Sequence, residues 1–174
     1  DALGIPNSNF ESLIISDLIE FVDTMFPTIA SRNGRMTAGL SMGGYGAVKL
    51  ALKHPDMFCA AVGFSSAFLF DQVLSPDDPA HKEFNLIFGE NPTDGPEDVM
   101  TLIDKVDKTT IPALRIDCGT EDFLIENNRL FHNKLISLNI DHEYLERPGD
   151  HNWEYWDSGI LGSLPFIKKN LGIE

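Results

Sequence analysis

Positive charge is scarce in this 174-residue chain: 13 Lys and Arg stand against 27 Asp and Glu, a formal net charge of −14. Nucleic acid and anionic membrane surfaces both require Lys and Arg to neutralise phosphate, so this balance counts against either as a partner. Long hydrophobic runs are lacking too, and none approaches the ~20 residues of a membrane span. Cysteine is nearly absent. Cys59 and Cys118 fall in apolar runs that read as buried strands, where they act as small core hydrophobes with free thiols rather than as a disulfide or metal site. Free thiols favour a reducing, cytoplasmic compartment. The first residue is Asp1, so no signal peptide is visible and secretion stays open. There is no internal repeat, low-complexity segment or linker. The apolar share of 43% and charged share of 23% are those of a soluble globular protein, long enough for one domain with a core.

Against that background one pentapeptide stands out, Gly39-Leu40-Ser41-Met42-Gly43. It lies between a strand-like run, residues 35–38, and a helix-like run, residues 44–53. In that context G-x-S-x-G is a nucleophile elbow, a sharp strand-to-helix turn that lifts the serine oxygen clear of the sheet. The flanking glycines are expected because a side chain at either would collide with the strand or helix. The helix N-terminus, with its free N–H groups, then points at the reacting carbonyl.

The periodicity predicts an amphipathic helix over 11–26, with Leu13, Ile14, Leu18, Val22, Met25 and Phe26 on its apolar face, ended by Pro27. A strand over 35–40 enters the elbow and a helix over 43–53 leaves it. Residues 57–64 form a continuous apolar run, as expected of a strand covered on both faces. The rhythm breaks over 66–95, a lid-like insertion with a short helix at 84–88. A helix over 96–108, a strand over 113–118, a helix over about 125–138, a strand over 140–145 and a last helix over about 152–170 follow, the last with a break expected near Gly159 or Pro165. Strands alternating with helices predict an α/β fold, a mostly parallel sheet with helices on both faces, in a single domain over 1–174.

An acyl-transfer triad needs a serine, a histidine to take its proton and a carboxylate to orient that histidine. In an open parallel sheet these groups gather past the C-terminal ends of strands. Ser41, Asp122 and His151 each follow a strand, in the order of the α/β-hydrolase fold. Asp117, within its strand, is expected to point into a sheet face. Glu121 adjoins Asp122 and is the rival orienting acid. His54 reads as a helix C-terminal cation, His81 as a loop residue, and His132 and His142 as structural or exposed groups. The oxyanion hole would take one donor from the Met42 backbone N–H. The other belongs to an earlier loop, and residues 1–34 hold no His-Gly-rich loop to supply it.

Residues 38–47, 117–124 and 149–156, which carry Ser41, Asp122 and His151, resemble the putative esterase (esterase D-like) family of α/β-hydrolases, and within it bacterial tributyrin and cinnamoyl (feruloyl) esterases. The resemblance spans nearly the whole chain. It implies Ser41 as nucleophile, Asp122 as acid, His151 as base and the Met42 N–H as an oxyanion donor. It also implies that the first strands and the second oxyanion loop of the family are missing here, which would leave an apolar sheet edge open. S-formylglutathione hydrolases are relatives that usually carry His at the position of Leu40. Leu40 and Asn152-Trp153 argue for the ester-hydrolase branch.

The expected reaction is hydrolysis of short-chain acyl or hydroxycinnamoyl esters through an acyl-enzyme, without metal or organic cofactor. The partner is a small-molecule ester, and a homo-oligomer is left open. Phe68, Phe70, Phe84 and Phe88 in the insertion could cap the site or simply pack it down. Trp153 and Trp156 fit one helix face, which favours core packing; Trp153 is also carried, with Phe68 and Phe70, as a candidate substrate contact. The alternatives are an acyltransferase on the same scaffold, a thioesterase like S-formylglutathione hydrolase, and a catalytically incomplete fragment without the oxyanion loop.

Overall fold

The structure, a computed structural model, describes residues 10–69, 77, 81–89 and 92–173. Among the described residues four parallel strands form the sheet in the order β1 (Met36–Leu40), β2 (Ala60–Phe64), β3 (Ala113–Gly119) and β4 (His142–Arg147). Parallel neighbours require crossovers. Helix α2 (Met42–Lys53) joins β1 to β2, α3 (His81–Phe88) and α4 (Val99–Lys105) lie between β2 and β3, α5 (Ile125–Ser137) joins β3 to β4, and α6 (Trp153–Leu171) follows β4.

The helices cover both faces. Ala61, Leu114 and Ile116 share one core with Val48 of α2, Ile103 of α4 and Phe131 and Leu135 of α5. Ala60, Val62 and Phe64 share the other with Tyr155, Trp156 and Phe166 of α6. Every residue of β2 is buried, which is why its sequence is apolar without alternation. Cys59 and Cys118 are buried free thiols. Among the described residues no helix is long and apolar enough to cross a membrane.

The first helix departs from its expected orientation. Helix α1 runs as Phe10–Ser12, a π-helical stretch Leu13–Leu18, and Ile19–Met25. Ile15 and Ile19 pack against the core, while Leu13, Ile14, Leu18, Met25 and Phe26 are exposed. The π turn widens the repeat beyond the 3.6 residues that the sequence pattern assumes, so the inward series becomes Glu11, Ile15, Ile19. Glu11 is drawn in by charge, meeting Lys53 at 2.7 Å and His54 at 2.9 Å at the end of α2.

Helix α6 runs unbroken through Gly159 and Pro165, against the expected break. Pro165 removes a hydrogen bond to the carbonyl of Leu161, but both residues lie on the exposed side, where water can take that bond. The insertion is described only in part. Its helix α3 carries Phe84 and Phe88, which pack against the core. Phe70 lies outside the described residues.

Candidate active site

Ser41 occupies the turn between β1 and α2 with φ 57° and ψ −122°, a backbone conformation that costs a non-glycine residue free energy and persists only where the surroundings impose it. Its N–H donates to the Phe64 carbonyl at 2.8 Å, so β2 clamps the turn from the side. A Cβ at Gly39 would overlap the Gly43 carbonyl, as the elbow requires. The second motif glycine behaves differently from expectation, because a Cβ at Gly43 would meet nothing. The steric demand falls one residue later: a Cβ at Gly44 would run into the Ser66 hydroxyl and crowd the Phe64 carbonyl. Because Ser41 stands at the helix N-terminus, the Met42 N–H belongs to the first turn and has no intrahelical acceptor.

The loops after β3 and β4 touch. Thr120 N–H donates to the Arg147 carbonyl at 2.9 Å and Glu121 N–H to the Gly149 carbonyl at 3.0 Å. The Gly149 N–H donates back to the Glu121 carboxylate, and that bond is the main reason the carboxyl is held below the usual range. Glu121 is thereby a brace between the two loops. At Gly149, φ is +146° and a Cβ would enter the Tyr155 ring, so only glycine fits.

This contact brings three side chains into line. The Ser41 Oγ lies 3.0 Å from His151 Nε2. His151 Nδ1 lies 2.9 and 3.1 Å from the two carboxylate oxygens of Asp122. The Asp122 side chain is fully buried, and its Oδ1 also accepts the Leu124 N–H at 2.8 Å. A carboxylate is an acceptor only, so Nδ1 donates and Nε2 is left free to accept the serine proton. Phe123, directly after the acid, places its ring 4.6 Å from the imidazole, and the Trp156 ring stands nearly perpendicular to it at 4.9 Å. The sequence offers one signal for Phe123, its position next to the acid in a loop after a strand.

The substrate contacts expected from sequence are dispersed. Phe68 is fully buried, its ring 4.4 Å from Phe131, because the chain after β2 turns inward onto α5; it is a core residue. Trp153 is 68% exposed while Trp156 is buried, so the two tryptophans expected on one packed face are divided between surface and core.

Asp117 does point into a sheet face, toward α6, and is fully buried. It accepts from the Tyr155 hydroxyl at 2.5 Å and is paired with Arg147 at 3.3 Å and Arg115 at 3.5 Å. Arg147 also lies over the Tyr155 ring at 4.3 Å. The cluster ties α6 to β3 and β4 beneath the His151 loop. Asp117→Ala is expected to cost about 3–5 kcal/mol, because it strands buried donors without their anion; a urea unfolding curve measures it.

His132 and His142 pair with each other at 2.7 Å, away from the triad. His142 Nδ1 faces the Ile140 carbonyl at 2.9 Å and so carries a proton, which leaves its Nε2 to accept from His132. Burial, then the neighbouring His142, holds His132 below the ordinary histidine range, with Glu146 opposing. A folded-state value below the unfolded one means that unfolding takes up a proton. The stabilisation is therefore full above the unfolded value of 6.5 and is lost as pH falls through the folded value. Denaturation midpoints compared at pH 8 and pH 5 should drop less in His132→Gln than in the wild type.

A four-stranded parallel sheet with helices on both faces and an elbow serine facing a histidine defines the class, an α/β-hydrolase fold. Residues 4–167 match the family described as Putative esterase, and the chain belongs to it. The chain is similar to an acetyl esterase of Caldicellulosiruptor saccharolyticus, with 31% identity over 92% of this chain and 64% of that protein. It is similar in structure to a ferulic acid esterase, with TM-score 0.80 and 28% identity over 93% of this chain and 61% of the other. The S-formylglutathione hydrolase FrmB of Staphylococcus aureus matches with TM-score 0.76 and 32% identity over 86% of this chain and 60% of the other. This chain thus spans roughly three-fifths of the length of each of these relatives.

Proposed function

We propose that the protein is a serine carboxylesterase in which Ser41 is the nucleophile, His151 the general base and Asp122 the orienting acid. The observation that carries this reading is the continuous line of hydrogen-bonding distances, 3.0 Å from Ser41 to His151 and 2.9 Å from His151 to Asp122. His151 takes the serine proton as Oγ attacks the ester carbonyl, and the bond to the alcohol breaks as His151 returns that proton to it. Water then releases the acid by the same route. The Met42 N–H is one donor to the developing oxyanion.

The substrates are short acyl or hydroxycinnamoyl esters. The acetyl esterase and ferulic acid esterase similarities support that range, and exposed Met42, Phe123 and Trp153 supply apolar surface on the residues that flank the triad. A thioester reading draws support from the S-formylglutathione hydrolase similarity.

Intact-mass analysis after exposure to a fluorophosphonate tests the nucleophile: one adduct on the wild type and none on Ser41→Ala is expected. Absence of any adduct on the folded protein would count decisively against the reading. Rates on p-nitrophenyl acetate, methyl ferulate and S-formylglutathione then separate the substrate classes. Preference for the thioester by more than tenfold would overturn the carboxylesterase assignment.

A further inference from the structure

One residue outside the triad bonds both to the strand that leads to Asp122 and to the indole that packs on His151. Ser65 follows β2 at φ 46° and is fully buried. Its N–H donates to the Asp117 carbonyl at 2.8 Å, on the strand that leads to Asp122. The segment around it holds the nucleophile from both sides: the Ser41 N–H donates to the Phe64 carbonyl at 2.8 Å, and the Ala67 N–H donates to the Ser41 carbonyl at 3.3 Å. The Ser65 hydroxyl accepts the indole N–H of Trp156 at 3.0 Å. That indole stands nearly perpendicular to the His151 imidazole, 4.9 Å between centroids at 86°. Asn128 locks the same turn, accepting the Ser66 N–H at 3.1 Å and donating to the Ser66 carbonyl at 3.0 Å.

Glycine is the residue this backbone favours. What serine adds is the hydroxyl, and in a buried site an indole N–H without an acceptor is costly. A tryptophan whose N–H is anchored has one ring orientation, and a ring fixed 4.9 Å from the imidazole and nearly perpendicular to it limits the rotation of that imidazole. Histidine must present Nε2 to the serine and Nδ1 to the acid at once, so small errors of ring angle are expensive in rate.

We propose that Ser65 is a positioning residue: through its hydrogen bond to Trp156 it holds the His151 imidazole in line between Ser41 and Asp122. The proposal rests on the catalytic reading of that triad.

The test uses Ser65→Gly, Trp156→Phe and the double variant of the full chain. Ser65→Gly removes the hydroxyl while easing the backbone, and Trp156→Phe removes the donor while keeping an aromatic ring. Three quantities are read: the rate of fluorophosphonate labelling at Ser41, kcat and KM on p-nitrophenyl acetate, and the urea midpoint. Each single variant is expected to label about 10- to 100-fold more slowly, with kcat lowered and KM within about twofold. The double variant is expected to be no slower than the slower single, because both changes cut one connection. Its urea midpoint should recover toward the wild type, since donor and acceptor leave together, while labelling stays slow. Labelling of either single variant at the wild-type rate would overturn the proposal, as would effects that multiply in the double variant. Trp156→Phe keeps the test decisive if Ser65→Gly does not fold. A folded wild type that takes no label would instead remove the catalytic reading itself, and the proposal with it.

Discussion

Ser41→Ala is expected to lower kcat on p-nitrophenyl acetate by about 10⁶-fold while leaving the fold unchanged. The size follows from the way a nucleophile and its base act as one unit, so that losing either removes nearly all of the covalent route. Oxyanion donors and substrate binding leave a residual rate about 10³- to 10⁴-fold over water. The neutral fold follows from geometry. The Ser41 backbone is held at both ends, by Phe64 and Ala67, and neither bond uses the hydroxyl. Alanine does retain the unfavourable φ of 57°, as serine does, so that cost cancels. Steady-state kinetics with a urea unfolding curve checks both halves. A loss of less than about 10²-fold would show that another group attacks the ester.

Asp122→Asn is expected to lower kcat by about 10⁴-fold. The carboxylate accepts twice in this structure, from His151 Nδ1 and from the Leu124 N–H. An amide offers one acceptor oxygen. If that oxygen keeps the Leu124 bond, which closes the loop ahead of α5, the amide NH₂ faces the imidazole and can only donate. Nδ1 must then become the acceptor, the proton moves to Nε2, and Nε2 no longer accepts from Ser41. The loop, the burial and the ring contacts of Phe123 and Trp156 persist, so the urea midpoint should change far less than the rate. Fluorophosphonate labelling should slow in parallel with kcat. A variant that keeps more than about a tenth of wild-type activity would transfer the orienting role to another carboxylate, with Glu121 the nearest in sequence.

Much of this arrangement was legible in the residues. Strand and helix periods are local, set by neighbours a few positions away, and the four strands and the helices between them lie within a few residues of their expected bounds. Ser41, Asp122 and His151 stand out as candidates because each follows a strand end, where a parallel sheet gathers loops. Less legible was the direction in which a residue faces. Phe68 left two readings open in the sequence, a ring capping the site and a ring packing the excursion down, and the chain turns it onto Phe131. The first helix has an apolar stripe at ordinary helical spacing, but its π turn brings Ile15 and Ile19 inward instead. At the elbow, the second glycine under steric pressure is Gly44 rather than Gly43, because the Ser66 side chain arrives from the loop after β2.

The sequence by itself determined the alternation of strands and helices and the parallel sheet that helical crossovers and an apolar central strand demand, and it singled out a serine, an acid and a histidine at strand ends as the candidate site. Each depends on residues close together in the chain. Only the tertiary structure decided that Asp117 anchors α6 through Tyr155 and Arg147, that Glu121 braces the histidine loop, and that Ser65 meets Trp156. Ser65 and Trp156 are 91 positions apart. Contacts of that kind arise where elements distant in the chain pack onto one sheet, and their side-chain partners carry no local pattern that a sequence could display.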